Sequence, residues 1–220
     1  MPIATSYLKV FNGLIVLVDT LGFIHNMKFT LQSTFPSQAS SECLWILVDS
    51  AQLQHNLKTY QINQLEDILQ ATQFKAGLNE TLPLIASIAL QPNTQVLGLG
   101  RADELKANKL AKLAHTIIKA TQNKFTQITV DISALPAELH PLFALNLTQA
   151  AYGYDEFKSK KNEFVLETIH LVAQHSQLND AQLNLIHAVQ AGQNYARDLG
   201  NRPPNICFPE YLAEQAIALA

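Results

Sequence analysis

From residue 27 onward the hydrophobic positions switch repeatedly between a period of two and a period near 3.6, the signatures of strands and of amphipathic helices. Phe29–Ser33 alternates, and Cys43–Val48 is an unbroken apolar run closed by Asp49, so both predict strands. Ile62, Leu65, Ile68 and Leu69 recur at helical spacing. Leu82–Leu90 and Thr94–Leu99 predict two further strands divided by the turn residues Gln91, Pro92 and Asn93. Leu105, Leu110, Leu113, Ile117 and Ile118 mark a long helix with Asp103 and Glu104 at its start, ending near Gln122. A strand over Lys124–Ile132 follows, then a helix over His140–Tyr154 with Pro141 in its first turn, then a strand over Phe164–Val172. Strands alternating with helices of this length predict an α/β three-layer sandwich. Its sheet would be mostly parallel or mixed, of five or six strands covered by helices, and followed by a long linker helix.

That last helix spans Asn179–Leu199, with Asn179 as N-cap and Gln182 completing a weak capping box. Leu178, Leu185, Val189, Gly192, Ala196 and Leu199 fall on one stripe, and its small members, with Ala188, would admit another backbone closely. Gly200 is expected to end the helix in the left-handed conformation, and Pro203-Pro204 cannot continue it. Pro209 suits the first turn of a new helix whose apolar positions are Leu212, Ala216 and Leu219. The chain stops at Ala220 inside that stripe, without a capping glycine or basic last turn, and so reads as cut.

Residues 1–26 do not follow the pattern. An apolar stretch from Val10 to Ile24 is broken by Asn12, Gly13, Asp19, Thr20 and Gly22, too short and interrupted to span a bilayer. It has one lysine, Lys9, and no clear cleavage site, which argues against a signal peptide. The stretch reads as a disordered extension or as sequence upstream of a true start at Met27; an extra strand over Leu14–Val18 is the alternative.

The segment from Arg197 to Cys207, followed by Pro209-Glu210-Tyr211-Leu212-Ala213, closely resembles the stretch joining the two domains of the leucyl aminopeptidases, also called cytosol aminopeptidases. A generic helix, proline turn and helix is the plain alternative, but a run this long and idiosyncratic is far more specific than a short spaced pattern. The resemblance implies that residues 27–175 are the amino-terminal α/β domain, 176–205 the linker helix and proline connector, and 206–220 the start of a catalytic domain otherwise missing. It implies a cytoplasmic parent enzyme, a hexamer, that removes N-terminal amino acids from peptides using two divalent metal ions, zinc or manganese. The stripe on the linker helix would face that enzyme's own catalytic domain. No catalytic, metal or cofactor-binding residue carries over, because nothing here resembles the N-T-D-A-E-G-R signature or the glycine-rich run that bring ligands, arginine and lysine. Phe208 departs from the hydroxyl or amide residue usual before the last helix. A stand-alone, non-catalytic α/β module for assembly or binding is the alternative.

Composition narrows the classes further. With 220 residues, 48% of them hydrophobic and 15% charged, the chain can bury a full core. A formal net charge of −3 gives no electrostatic footprint for nucleic acid, and the one lysine cluster, Lys158, Lys160 and Lys161, reads as a solvated loop. Cys43 and Cys207 stand beside apolar residues, away from metal or redox spacing, and read as buried free thiols in a reducing compartment. The best-looking site is Gly98-Leu99-Gly100-Arg101, a strand end, glycine turn and helix start able in principle to hold an anion. It lacks a third glycine and a phosphate-loop lysine, and Asp103 and Glu104 would repel an anion, so a structural turn is the expectation. His25, His55, His115, His140, His170, His175 and His187 include no pair four apart, so a metal site is not expected. No G-x-S-x-G elbow is present.

Overall fold

The apolar run Cys43–Val48 occupies the middle of the sheet, and its six residues are all buried. Cys43, Trp45 and Leu47 belong to one core, and Leu44, Ile46 and Val48 to a second, as side-chain alternation requires of a strand covered on both faces. The computed structural model describes residues 7–11, 14–18, 27–33, 42–60, 62, 64–84, 93–160, 163–173 and 175–219.

The strands are β1 (Tyr7–Phe11), β2 (Leu14–Val18), β3 (Lys28–Gln32), β4 (Cys43–Val48), β5 (Thr81–Leu84), β6 (Thr94–Gly98), β7 (Gln127–Asp131) and β8 (Thr168–Val172). The helices are α1 (Leu53–Lys58), α2 (Leu65–Thr72), α3 (Ala107–Thr121), α4 (His140–Ala150), α5 (Asp180–Asn201) and α6 (Pro209–Leu219). A six-stranded sheet has the order β3-β8-β7-β4-β6-β5, parallel throughout except for the antiparallel edge strand β5. Its register places Phe29 beside Ile169, Ile169 beside Ile128, Trp45 beside Val130 and Ile46 beside Val96. The larger core lies between the sheet and α3, α4 and α5, where Leu110, Leu113, Ile117, Phe143, Leu147, Leu183 and Ile186 meet Ile128, Val130, Ile169 and Leu171. The smaller core packs Leu57 of α1 and Leu65 of α2 on Leu44, Ile46, Val48 and Val96. Each fully buried large side chain of this kind contributes about 1.5–3 kcal/mol.

Several sequence expectations are corrected in detail. The helix expected to open at Asp103 starts at Ala107: Ala102–Glu104 form a 3₁₀ turn and Leu105 and Lys106 are extended. The Asp103 carboxylate there binds Arg101 at 2.7 Å instead of capping a helix. The helix expected to reach Tyr154 ends at Ala150, and the ladder expected from Phe164 begins at Thr168. Before it, Val165 and Leu166 donate to the Gln122 carbonyl, and Glu167 and Thr168 to the Thr126 carbonyl. Only Thr81–Leu84 of the expected strand to Leu90 is described; residues 85–92 lie outside the described residues.

Gly200 does not take the left-handed conformation. It is helical, α5 runs on to Asn201, and Arg202 then turns extended at ψ 139. Proline explains this stop: the ring of Pro203 disfavours helical geometry at the residue before it. Within residues 1–26, Leu14–Val18 forms a strand paired antiparallel with Tyr7–Phe11, in a two-stranded sheet apart from the main one. The other residues of that stretch lie outside the described ones.

Candidate functional site

Three backbone N–H groups of the glycine turn between β6 and α3 are already engaged. Gly98 N–H donates to Glu80 O at 2.8 Å, Leu99 N–H to Val48 O at 2.9 Å and Gly100 N–H to Ala76 O at 2.9 Å. Gly100 stands at φ +67, where glycine alone is unstrained. Arg101 pairs with Asp103 and, at 3.4 Å, with Glu104, all three largely exposed. A nest of free N–H groups is what an anion needs, and here the Gly98 and Gly100 N–H groups hold the 76–80 loop while that of Leu99 bonds to the end of β4. Gly98-Leu99-Gly100-Arg101 is a structural turn.

Open α/β sheets bind ligands beyond the carboxyl ends of their strands, where neighbouring strands connect in opposite directions. In this sheet that point lies between β4 and β7, beside a buried carboxylate. Asp131, the last residue of β7, is buried, and its Oδ2 accepts a short hydrogen bond from the Tyr60 hydroxyl while Oδ1 accepts from Ser133 N–H at 2.8 Å. Burial first, and the Asp131 charge second, push the Tyr60 hydroxyl far above its usual range, so it stays a donor.

The histidines are dispersed. His140 is 1% exposed; its Nε2 lies 3.1 Å from Leu135 O and its Nδ1 2.9 Å from Ser176 Oγ. A carbonyl can only accept, so Nε2 carries the proton and Nδ1 accepts from the serine hydroxyl, which itself accepts from Leu178 N–H at 3.1 Å. Burial holds His140 below the ordinary histidine range and therefore neutral. His170 contacts Thr30 Oγ1 at 2.6 Å, and His187 packs against Phe29 with ring centroids 5.8 Å apart. His55, His115 and His175 are exposed, and His25 lies outside the described residues. Among the described residues no three His, Cys, Asp or Glu side chains gather closely enough to hold a metal ion. Burial pushes the Cys43 thiol up to about 12, which leaves it inert at neutral pH. Cys207, expected buried, is only half-buried.

The most conspicuous unused surface is on α5. Asn179 caps it by accepting from Gln182 N–H at 2.9 Å, and Leu178, just before the cap, sits with Leu183 in the larger core. Leu183, Ile186, Gln190 and Asn194 are the buried face. Of the predicted stripe, Leu178 is therefore wrongly placed: as the residue before the N-cap it folds back into its own domain. The remaining residues turn outward. Leu185 is 62% exposed, Ala188, Gly192 and Ala196 are exposed, and Val189 and Leu199 are half-buried. Beyond the connector, α6 has no buried residue, and Ile217 is 77% exposed. The lysine cluster lies in a loop, where Lys158 pairs with Asp155 at 2.5 Å and Lys160 is exposed; Lys161 lies outside the described residues.

Sequence reasoning gave no role to the polar residues at the junction of α4, α5 and α6: Tyr152, Tyr154, Glu156, Arg202 and Tyr211. Tyr152 and Tyr154 fell within the helix expected to reach residue 154. The signal available was the aromatic and acidic density of residues 152–157, too polar for a buried helix end.

Comparison with known proteins decides the affiliation. Residues 47–161 match the family model described as the cytosol aminopeptidase family, N-terminal domain. The chain belongs to this family. A probable cytosol aminopeptidase of Acinetobacter baumannii is 70% identical over 194 residues, covering 88% of this chain and 40% of that protein. Those of Acinetobacter baylyi and Haemophilus ducreyi are 57% and 31% identical. The chain thus spans about two-fifths of the length of these cytosol aminopeptidases. Among solved structures, a tomato leucine aminopeptidase mutant superposes with a TM-score of 0.72 at 18% identity, covering 92% of this chain and 43% of that one. The bottromycin maturation enzyme BotP in complex with Mn superposes with a TM-score of 0.59 at 17% identity, covering 82% of this chain and 36% of that one. The six-stranded α/β sheet domain is thus the N-terminal domain of the cytosol aminopeptidase family, and no helix among the described residues is long and apolar enough to cross a membrane.

Proposed function

We propose that this chain is the non-catalytic, amino-terminal part of a metal-dependent leucyl-type aminopeptidase, a cytoplasmic hydrolase that removes N-terminal amino acids from peptides. The observation that carries the reading is one of extent: the likeness to cytosol aminopeptidases runs through 88% of this chain and only 40% of theirs. Residues 27–175 are then the α/β domain, 176–205 the linker and connector, 206–220 the opening of the catalytic half, and 1–26 an extension. The 194 aligned residues equal the stretch from Met27 to Ala220 in number, which supports that last division.

In this reading the catalytic half packs on the outward side of α5, over Leu185, Val189, Gly192, Ala196 and Leu199. Small residues at Ala188, Gly192 and Ala196 leave room for a close approach. In this reading two ions, zinc or manganese, would be held by the catalytic half, where they would polarise the scissile carbonyl and activate the attacking water. The working form is a homo-oligomer, a hexamer, acting on peptides; a net charge of −3 offers nothing to nucleic acid.

Extending the reading frame past Ala220 tests this. The longer product is expected to hydrolyse leucyl amides once zinc or manganese is supplied. A stop codon after Ala220, or a longer product inert with either ion, would contradict the reading and favour a stand-alone assembly module.

A further inference from the structure

Where the linker helix gives way to the proline connector, one side chain joins three parts of the chain. Arg202 follows the last residue of α5, and its side chain is 7% exposed. Its Nε donates to Glu156 Oε2 at 2.9 Å, its Nη1 donates to the Tyr211 hydroxyl, and its guanidinium lies over the Tyr211 ring at 5.4 Å from the centroid. Glu156 Oε2 also accepts from the Tyr154 hydroxyl at 3.1 Å. One turn back, the Tyr152 hydroxyl donates to Asp198 Oδ1 at 2.8 Å and accepts from Asn201 Nδ2 at 2.9 Å, while Arg197 lies over its ring at 5.1 Å. Farther back along α5, the Tyr195 hydroxyl donates to Gln215 Oε1 at 2.8 Å.

Apolar burial plays almost no part in this junction. No residue of α6 is buried, and Leu212, Ile217 and Leu219 are exposed. Hydrophobic contact is non-directional and tolerates sliding. A planar guanidinium shared between a carboxylate, a hydroxyl and a ring face accepts one geometry. Exposed ion pairs contribute little, but this arginine is shielded, and removing one partner of a shielded pair leaves the other uncompensated.

We infer that Arg202, with Glu156 and Tyr211, is a polar knot that fixes the direction in which the chain leaves the α/β domain, Arg202 being the positioning residue. Its use in placing a catalytic half rests on the function proposed above; its hold on α6 does not.

Amide exchange on the 220-residue chain tests that hold. Arg202→Ala should speed exchange over residues 206–219 by about tenfold or more, the loss expected of a charged hydrogen bond, with β4 and β7 unchanged. Arg202→Lys should recover only part, because an ammonium cannot reproduce the fork. Glu156→Gln and Tyr211→Phe, which keep size and shape, should give smaller accelerations confined to the same residues, and they carry the test should Arg202→Ala not fold. Wild-type exchange over 206–219 in a folded Arg202→Ala variant, or in both milder variants, overturns the knot. In the longer protein, spin labels at Lys112 and at a site beyond residue 220 should give one narrow distance that broadens in Arg202→Ala. An unchanged distribution would overturn the positioning role. Neither readout depends on catalysis, so absent aminopeptidase activity would count against the proposed function alone.

Discussion

A Cβ added at Gly98 would lie 2.3 Å from the carbonyl oxygen of Gly77. The end of β6 and the 76–80 loop meet backbone to backbone, and the neighbouring atoms of Ala76 would be 2.5 and 2.7 Å away. Backbone cannot yield as a flexible side chain can, so Gly98→Ala should cost about 3 kcal/mol, read as a lowered denaturation midpoint. Gly200→Ala should do the opposite. Nothing lies within 4 Å of its added Cβ and the residue is helical, so about 0.5–1 kcal/mol of stability should be gained. A loss at Gly200 would mean that it caps the helix in the left-handed form after all.

That pair shows which parts of the fold could be read from the chain. Cys43–Val48 was legible as a central strand because six apolar residues in a row leave no face for water. The cap at Asn179 was legible because its partner is three residues away. Gly98 was legible as a turn residue, but its reason, the approach of Gly77 from another segment, was not. At Gly200 the local glycine signal and the proline at 203 both announced a helix end, and the proline fixed it. The helix α1 escaped notice because Leu53–Lys58 is only six residues long, with a single buried apolar residue, Leu57. At the candidate surface, periodicity found the outward stripe of α5, yet misplaced Leu178, which the N-cap folds back into the core. The Arg202 knot pairs residues 46 apart in sequence, beyond the reach of any periodic pattern.

The pH dependence of stability follows from buried histidines. Burial lowers His140 from its ordinary value of 6.5, and burial lowers His170 and His187 likewise. The folded protein therefore keeps these rings neutral, while the unfolded chain takes up protons as pH falls through about 6.5. Stability should be complete above that pH and decline below it. Urea denaturation at pH 8, 7, 6 and 5.5 measures the decline, and His140→Gln should make it shallower. Equal slopes for the variant and wild type would show that His140 is not the buried neutral group described.

The two faces of α5 should respond oppositely to substitution. Leu183 is in the core, so Leu183→Ala should cost about 2–3 kcal/mol. Leu185 is outward, and Leu185→Asp should change the melting of the 220-residue chain by no more than about 0.5 kcal/mol. In the longer protein the same Leu185→Asp should weaken the joining of the two halves, seen as separate melting transitions. A large loss from Leu185→Asp in the short chain would mean that this face is already covered.

The central claim is that catalysis resides outside these residues, and it is tested most directly by assaying the purified 220-residue chain and the longer protein side by side for hydrolysis of leucine p-nitroanilide, with zinc or manganese added. The expected result is no turnover by the short chain and metal-dependent turnover by the longer one. Metal-dependent turnover by the short chain, surviving removal of contaminating peptidases, would contradict the account.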